Sequence, residues 1–438
     1  MKHIRILAAL AVAAGATAAC DTPSAPVASR DLIKASGITL QAVKLSGSQS
    51  CASAADTIFL ADNDTISGQV NIPNGCTLRV RPADNNGDGR VTIYGDASVA
   101  PSALVVHQGA RIYAEGSATV PIVFTPTGGS TTPGAWGGIV LIGNAPTNDA
   151  TATVEGIPGS VAYGGSVAND NSGTLRYVRI EYAGYQLVTN NELNGLSLYG
   201  VGSGTTLEYI QVHRGSDDGI EFFGGTASIR YAVVTGAEDD SFDYSFGWVG
   251  NAQFVIVQQG AAVGDKGIEA DNDDAGSTGS PVTDADIWNI TLVGRDASVA
   301  DSTSVDAGNI GIQLRRNVAS RVRNAIVLGF DAAFDGTGSN ATITTDSVTN
   351  SIFYAKAGYT VGNSAVNNIE QADPQLVNPW ARSTSRDFRP TATSRSRSGG
   401  YTGSKTGLVT TTFRGAVPQT TSSGVSPTWY TGWTTWAY

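Results

Sequence analysis

Apolar residues in the middle of the chain come in short alternating runs, not at helical spacing. Leu207-Glu208-Tyr209-Ile210-Gln211-Val212, Ile229-Arg230-Tyr231-Ala232-Val233-Val234 and Gln253-Phe254-Val255-Ile256-Val257 each read as a strand. Each leads into a second, acidic block: Asp217-Asp218-Gly219-Ile220-Glu221-Phe222, then Asp239-Asp240-Ser241-Phe242-Asp243-Tyr244, then Asp265-Lys266-Gly267-Ile268-Glu269-Ala270. The acidic blocks are 22 and 26 residues apart, and in the first two units the leading strand begins 11 residues before the second Asp. Weaker copies flank them at Asn194-Gly195-Leu196-Ser197, Ile310-Gly311-Ile312-Gln313, Ala332-Ala333-Phe334-Asp335 and Ala357-Gly358-Tyr359-Thr360. The 44 residues from 266 to 310 fit either two turns or one turn with an inserted loop. A period of 20 to 30 residues built from short strands predicts an all-β solenoid, a parallel β-helix whose turns stack at ~4.8 Å. A propeller blade needs ~40–50 residues per repeat and fits less well. Ile220, Phe242, Ile268, Ile312 and Phe334 are then expected to form one inward ladder.

The rest of the chain divides around this array. Residues 1–20 read as a signal peptide: Lys2, His3 and Arg5, an apolar stretch from Ile6 to Ala14, then Thr17-Ala18-Ala19-Cys20. Small residues before Cys resemble a lipobox, which makes Cys20 the expected lipidation site. Cleavage at an Ala-x-Ala-like site is the alternative. Residues 21–29 are a tether, 30–125 the first solenoid turns, 126–360 the central β-helix, and 361–438 closing turns with a Ser/Thr- and Trp-rich cap. Cys51 and Cys76 are expected to form a disulfide, as paired cysteines of an exported chain do. Asp84, Asn86 and Asp88 follow the order of a calcium loop, but position twelve is Gly95 and no helices flank it. The segment is either a partial calcium loop or a polar turn. The 53 glycines among 438 residues favour a turn-rich coil over a helical bundle. A net charge of −11 argues against nucleic acid and anionic lipid as partners, leaving the lipid anchor as the only membrane attachment expected.

Trp136-Gly137-Gly138, Glu155-Gly156-Ile157, Tyr163-Gly164-Gly165, the stretch Asp170 to Val178, the stretch Gly202 to Tyr209, the acidic motifs and the closing Phe413-Arg414-Gly415-Ala416 and Gly432-Trp433-Thr434 occur in order. Together they resemble a family of exported bacterial lipoproteins over roughly residues 65–438. The resemblance implies a right-handed parallel β-helix of the pectin-lyase-like type. It implies no activity.

Stacking would place Asp217, Asp239 and Asp265 in one column and Glu221, Asp243 and Glu269 in another, with Asp218, Asp240 and Lys266 between them. Close carboxylates repel, and they are relieved by raised pKa values or a counter-cation. Three roles stay open: acceptors for backbone N–H groups, ligands of Ca²⁺, or the acids of a polysaccharide lyase or glycoside hydrolase centred on Asp217, Asp218, Glu221, Asp239 and Asp240. His213 and His107 read as surface imidazoles. Tyr177, Tyr209 and Tyr231 are expected to stack as a supporting ladder, while Tyr182, Tyr185, Tyr199, Phe222 and Phe223 are candidates for stacking on sugars. Trp429, Trp433 and Trp436 are expected to cap the last turn or to join a neighbouring subunit. The expectation is a non-catalytic exported surface protein, calcium-stabilised and glycan-binding. The alternatives are the polysaccharide-cleaving enzyme and a fibre subunit joined through solenoid ends.

Overall fold

Each repeat contributes two strand positions, and parallel pairing stacks both. In a computed structural model the described residues are 42–438, except 54–55, 150, 189–190, 274, 296–308, 337–343, 345, 357–365 and 384. The signal peptide, Cys20, the tether and the weak repeat at 357–360 lie outside them. The first column runs through Thr65–Ile72, Ala103–Val106, Gly138–Ile142, Leu196–Tyr199, Ile220–Phe223, Phe242–Ser245, Lys266–Ala270, Ile310–Leu314 and Ala332–Asp335, all parallel. Alternation turns every second side chain inward. Val70, Leu104, Ile139, Leu196, Ile220, Phe242, Ile268, Ile312 and Phe334 accordingly sit in the buried core. Lys266 pairs directly with Ile310, so the 44-residue step is one turn carrying an insertion. The coil is a parallel β-helix, and no α-helix occurs among the described residues.

The second column bends in mid-strand. Gly173–Glu181, Thr206–His213, Ile229–Thr235, Asn251–Gln258 and Asp286–Val293 pair in parallel, and the column continues through the pass made of Arg321–Arg323 and Ile326–Leu328 to Val348–Tyr354 and Val366–Gln371. Each of these passes carries one residue at positive φ: Tyr177 (50°), Tyr209 (55°), Tyr231 (59°), Phe254 (60°), Asn289 (55°), Asn324 (58°), Asn350 (54°) and Asn368 (53°). Asparagine tolerates this region, but a bulky ring there is strained by about 1–3 kcal/mol. The four rings offset that strain by stacking, with centroids 4.3, 4.5 and 5.1 Å apart in succession. Such pairs contribute about 0.5–1.5 kcal/mol each beyond their buried area. The tyrosine ladder is therefore a row of bends. At the N-terminal turns Cys51 and Cys76 are joined as a disulfide with Cα atoms 5.6 Å apart.

The last 60 or so residues do not close the coil. They run as an irregular strap along the outer flank of the bent column. Trp433 meets the rings of Tyr177 and Tyr209 edge-on, and Trp429 meets Tyr231. Outward amides hold the strap by its main chain. Gln211 donates to the Thr435 carbonyl at 2.7 Å and accepts from its N–H at 2.8 Å, and Gln253 grips Val409 in the same way. Asn289 donates to the carbonyls of Phe413 and Gly415. The expected tryptophan cap is thus corrected. Trp429 and Trp433 bury their indoles against the half-buried tyrosine ladder on the side of the coil, and Trp436 packs on Phe388 and Tyr430 of the strap itself.

Candidate cation site

Gly219 and Ser241 set the local geometry, because the turn at each motif must let the next turn approach. The N–H of Gly219 donates to the Asp240 carbonyl, and that of Ser241 to the Lys266 carbonyl. A Cβ on Gly219 would lie 2.6 Å from the Ser241 carbonyl oxygen, so only glycine fits there. With the turns this close, Glu221 stands opposite Asp243, and Asp243 opposite Glu269. The rows run as the repeat spacing requires. One carboxylate oxygen of Asp218 accepts the N–H of Asp240 at 2.8 Å, and one of Asp240 accepts the N–H of Lys266 at 2.7 Å. These two aspartates spend one oxygen on the coil and leave the other to the cluster.

Four overlapping groups of three carboxylates bring their oxygens within 4.8 Å: Asp217–Asp218–Asp239, Asp218–Glu221–Asp243, Asp239–Asp240–Asp265 and Asp240–Asp243–Glu269. Their charge is unevenly balanced. Lys266 is ion-paired with Asp265 and, at 3.2 Å, with Glu269. Arg315 is ion-paired with Glu269 and, at 2.8 Å, with Asp271, and Arg316 reaches Asp271 at 2.9 Å. No ion pair reaches Asp217, Asp218, Glu221, Asp239, Asp240 or Asp243 among the described residues.

Burial compounds the repulsion. Asp218, Glu221 and Asp240 are only 7, 8 and 4% exposed, whereas Asp239 stands in solvent. Burial first, then Glu221 and Asp240, hold the Asp218 carboxyl well above its ordinary range. Glu221 is raised by burial and by Asp243, and Asp243 by burial and by Glu269. Burial and Asp239 push Asp217 up to about 7. Asn194, the counterpart of Asp218 one turn earlier, donates its amide to Glu221. Asn194 is 1% exposed, and its Oδ1 has no hydrogen-bond partner among the described residues. Ser197, stacked on Glu221, likewise holds a buried Oγ without a partner. Both oxygens suit a hard cation.

The other sequence candidates are arranged differently. Asp84 turns its carboxylate onto the N–H groups of Asn86, Gly87 and Gly89, and Asn86 accepts the N–H of Asp88. That is a self-satisfied polar turn, and it brings no group of three acidic ligands together among the described residues. His213 is corrected from a surface imidazole to a fully buried one, bonded to Thr235 at 2.7 Å and to the Ala437 carbonyl at 2.8 Å. The strap covers it, which is invisible in the local sequence. Burial pushes it down to about 4. His107 is half-buried and bonded to Asn71 at 2.8 Å. Of the aromatics proposed for sugars, Tyr182, Tyr199, Phe222 and Phe223 are buried. Asn194 and Ser197 carry no charge to mark them as ligands in the sequence, and only the place of the weak repeat one turn before the acidic motif points to them.

The fold defines a parallel β-helix with an acidic ladder outside its core. Residues 53–434 match the model of the pectate-lyase-like beta helix domain, and the chain belongs to that family. None of the curated proteins and none of the solved structures matches it.

Proposed function

We propose that the chain is a non-catalytic surface scaffold whose turns are tied together by Ca²⁺ held at Asp218, Glu221 and Asp243. One observation carries this reading. Three converging carboxylates from two adjacent turns make no ion pair among the described residues, with the unpartnered oxygens of Asn194 and Ser197 beside them. A hard divalent ion accepts 6–8 oxygens of these kinds and removes the repulsion that burial creates. The burial of Asp218, Glu221 and Asp240 also speaks against catalysis, since a polymer chain has no approach to them. On this reading, lipidation at Cys20 would hold the scaffold at a membrane surface.

The test is metal analysis of the purified protein, followed by melting in Ca²⁺ and in chelator. The expected result is one calcium per chain and a melt that falls in chelator, with both features lost in Glu221→Gln. A metal-free protein that melts identically in both buffers refutes the reading. A second reading has its own observation: Asp217 is partly exposed beside exposed Asp239 and titrates near neutrality, as a general acid must. Cleavage of an acidic polysaccharide that Asp217→Asn abolishes would establish it.

A further inference from the structure

The insertion between Ile142 and Gly173 climbs the coil and then folds back on itself. Ala145, Pro146, Thr147 and Asn148 bond in turn to Gly200, Gly225, Phe246 and Asn272, one from each of four successive turns. Residues 151–163 return as a hairpin, in which Val154 donates to the Val161 carbonyl and Tyr163 to that of Ala152. The hairpin lies on an apolar row of the first strand column. Val154, Ile157 and Tyr163 pack with Ile142, Tyr199 and Phe223, and the Tyr163 ring meets Tyr199 edge-on at 5.1 Å. That row borders the acidic one: Ser197 and Tyr199 are outward positions two apart on one strand, and Glu221 and Phe223 on the next. Two residues of strand span about 7 Å. Glu155, beside Val154 and exposed at the hairpin's surface, is thereby brought to the acidic row. The N–H of Gly156 bonds the side chain of Asn191, a few residues before the Asn194 amide that reaches Glu221. Burial and Asp243 raise the Glu221 carboxyl first, and Glu155 raises it further. Burial, then Glu155 and Glu221, hold the Tyr199 hydroxyl well above its ordinary range. That hydroxyl is buried and makes no hydrogen bond of ordinary geometry among the described residues.

We propose that Glu155 is a further ligand of the cation held at Asp218, Glu221 and Asp243, so that the ion fastens this hairpin over the ladder as a flap. The proposal rests on the cation site above and adds the element that the ion controls. The control lies in a change of sign. Ionised carboxylates of the coil repel Glu155 and oppose the packing of Val154 and Ile157. A divalent ion among them attracts the same side chain, which adds an oxygen to a shell of 6–8. Asn194 and Ser197 supply neutral oxygens from the coil, and Glu155 supplies a charged one from the flap. A carboxylate drawn to the ion also meets the buried Tyr199 hydroxyl, which gains the acceptor that buried donors need. The apolar contacts of Val154 and Ile157 seat the flap, and the charge on Glu155 decides whether it stays.

The test follows hydrogen exchange over residues 151–163 in the full chain, in Ca²⁺ and in chelator, with metal analysis of the same samples. Saturating calcium should slow exchange in this segment about tenfold and leave residues 91–95 unchanged. Glu155→Gln should still carry calcium, bind it about tenfold more weakly, and lose the protection of the hairpin. A wild-type protein that binds no calcium overturns both the cation site and the flap. Bound calcium with equal exchange of the hairpin in both buffers overturns the flap alone. So does a uniform slowing along the whole chain, which marks overall stabilisation. A Glu155→Gln hairpin that calcium protects as well as it does the wild type's also overturns the flap and leaves the cation site standing.

Discussion

Without a divalent cation the protein should lose stability as pH rises. Asp217 shows the sign. Its folded carboxyl is raised from 3.8 to about 7. The folded state therefore binds this proton more tightly than the unfolded state does. The stabilisation is complete below about pH 3.8 and disappears as pH climbs through about 7. A gap of about three units is worth at most ~4 kcal/mol, and solvent screening at this partly exposed group brings it nearer ~2 kcal/mol. Asp218, Glu221, Asp240 and Asp243 are also raised, and each that keeps its proton adds up to ~1.4 kcal/mol per pH unit over its own window. Saturating Ca²⁺ reverses the logic, because it binds the ionised carboxylates. At a hundred times its dissociation constant it returns ~2.7 kcal/mol. The assay is a set of urea melts between pH 5 and 8, in chelator and in Ca²⁺. In chelator the midpoint should fall steadily with pH, and in Ca²⁺ it should stay flat or rise. A chelated protein as stable at pH 8 as at pH 5 refutes the account of the ladder.

Lys266 is the ladder's internal cation, so Lys266→Met should uncover a second site at Asp240, Asp243 and Glu269. Metal analysis should then find two calcium ions per chain, and in chelator the variant should be less stable by ~3 kcal/mol, as for other broken buried pairs. At Tyr231, φ 59°, Gly should be tolerated better than Ala by about 1 kcal/mol in denaturant melts. Both lose the ring stack, but only Gly also relieves the bend. An Ala variant equal to or more stable than Gly would show that the backbone there carries no strain.

The repeat was legible because stacking forces it into the sequence. The 22-residue step and the 11-residue offset correctly paired Glu221 with Asp243 and placed Ile220 on Phe242. The length from 266 to 310 could not separate two turns from one, since an inserted loop leaves no periodic trace. The bends were hidden for another reason. Tyr177, Tyr209 and Tyr231 sit where strand alternation continues on both sides, so they read as extended residues. The strap was least legible. Gln211 and Thr435 are 224 residues apart, and an amide reading a main chain imposes no pattern on the segment it reads. The burial of His213 followed the strap and was missed with it. At the acidic site the rows were readable, but the uneven compensation was not. It depends on Arg315, which reaches Glu269 across one turn with its long insertion.

Bends and strap are matched along the coil, and the match explains why the bend residue changes identity. Where the bends are Tyr177, Tyr209, Tyr231 and Phe254, each ring is stacked on its neighbours but presents an apolar edge outward. There the strap supplies Trp433 and Trp429. From Asn289 onward the bends are amides, and the strap supplies main-chain carbonyls: Phe413 and Gly415 to Asn289, Tyr401 to Asn324, Gly399 to Asn350. An aromatic bend facing bare main chain would leave carbonyls unpaired, and an Asn bend facing an indole would leave its amide unpaired. Either mismatch costs about 1–3 kcal/mol per buried group. The order of bend residues along the coil is thus tied to the order of residues along the strap, running the opposite way. That antiparallel correspondence is why the segment that looks most irregular in sequence is held over its length by specific partners.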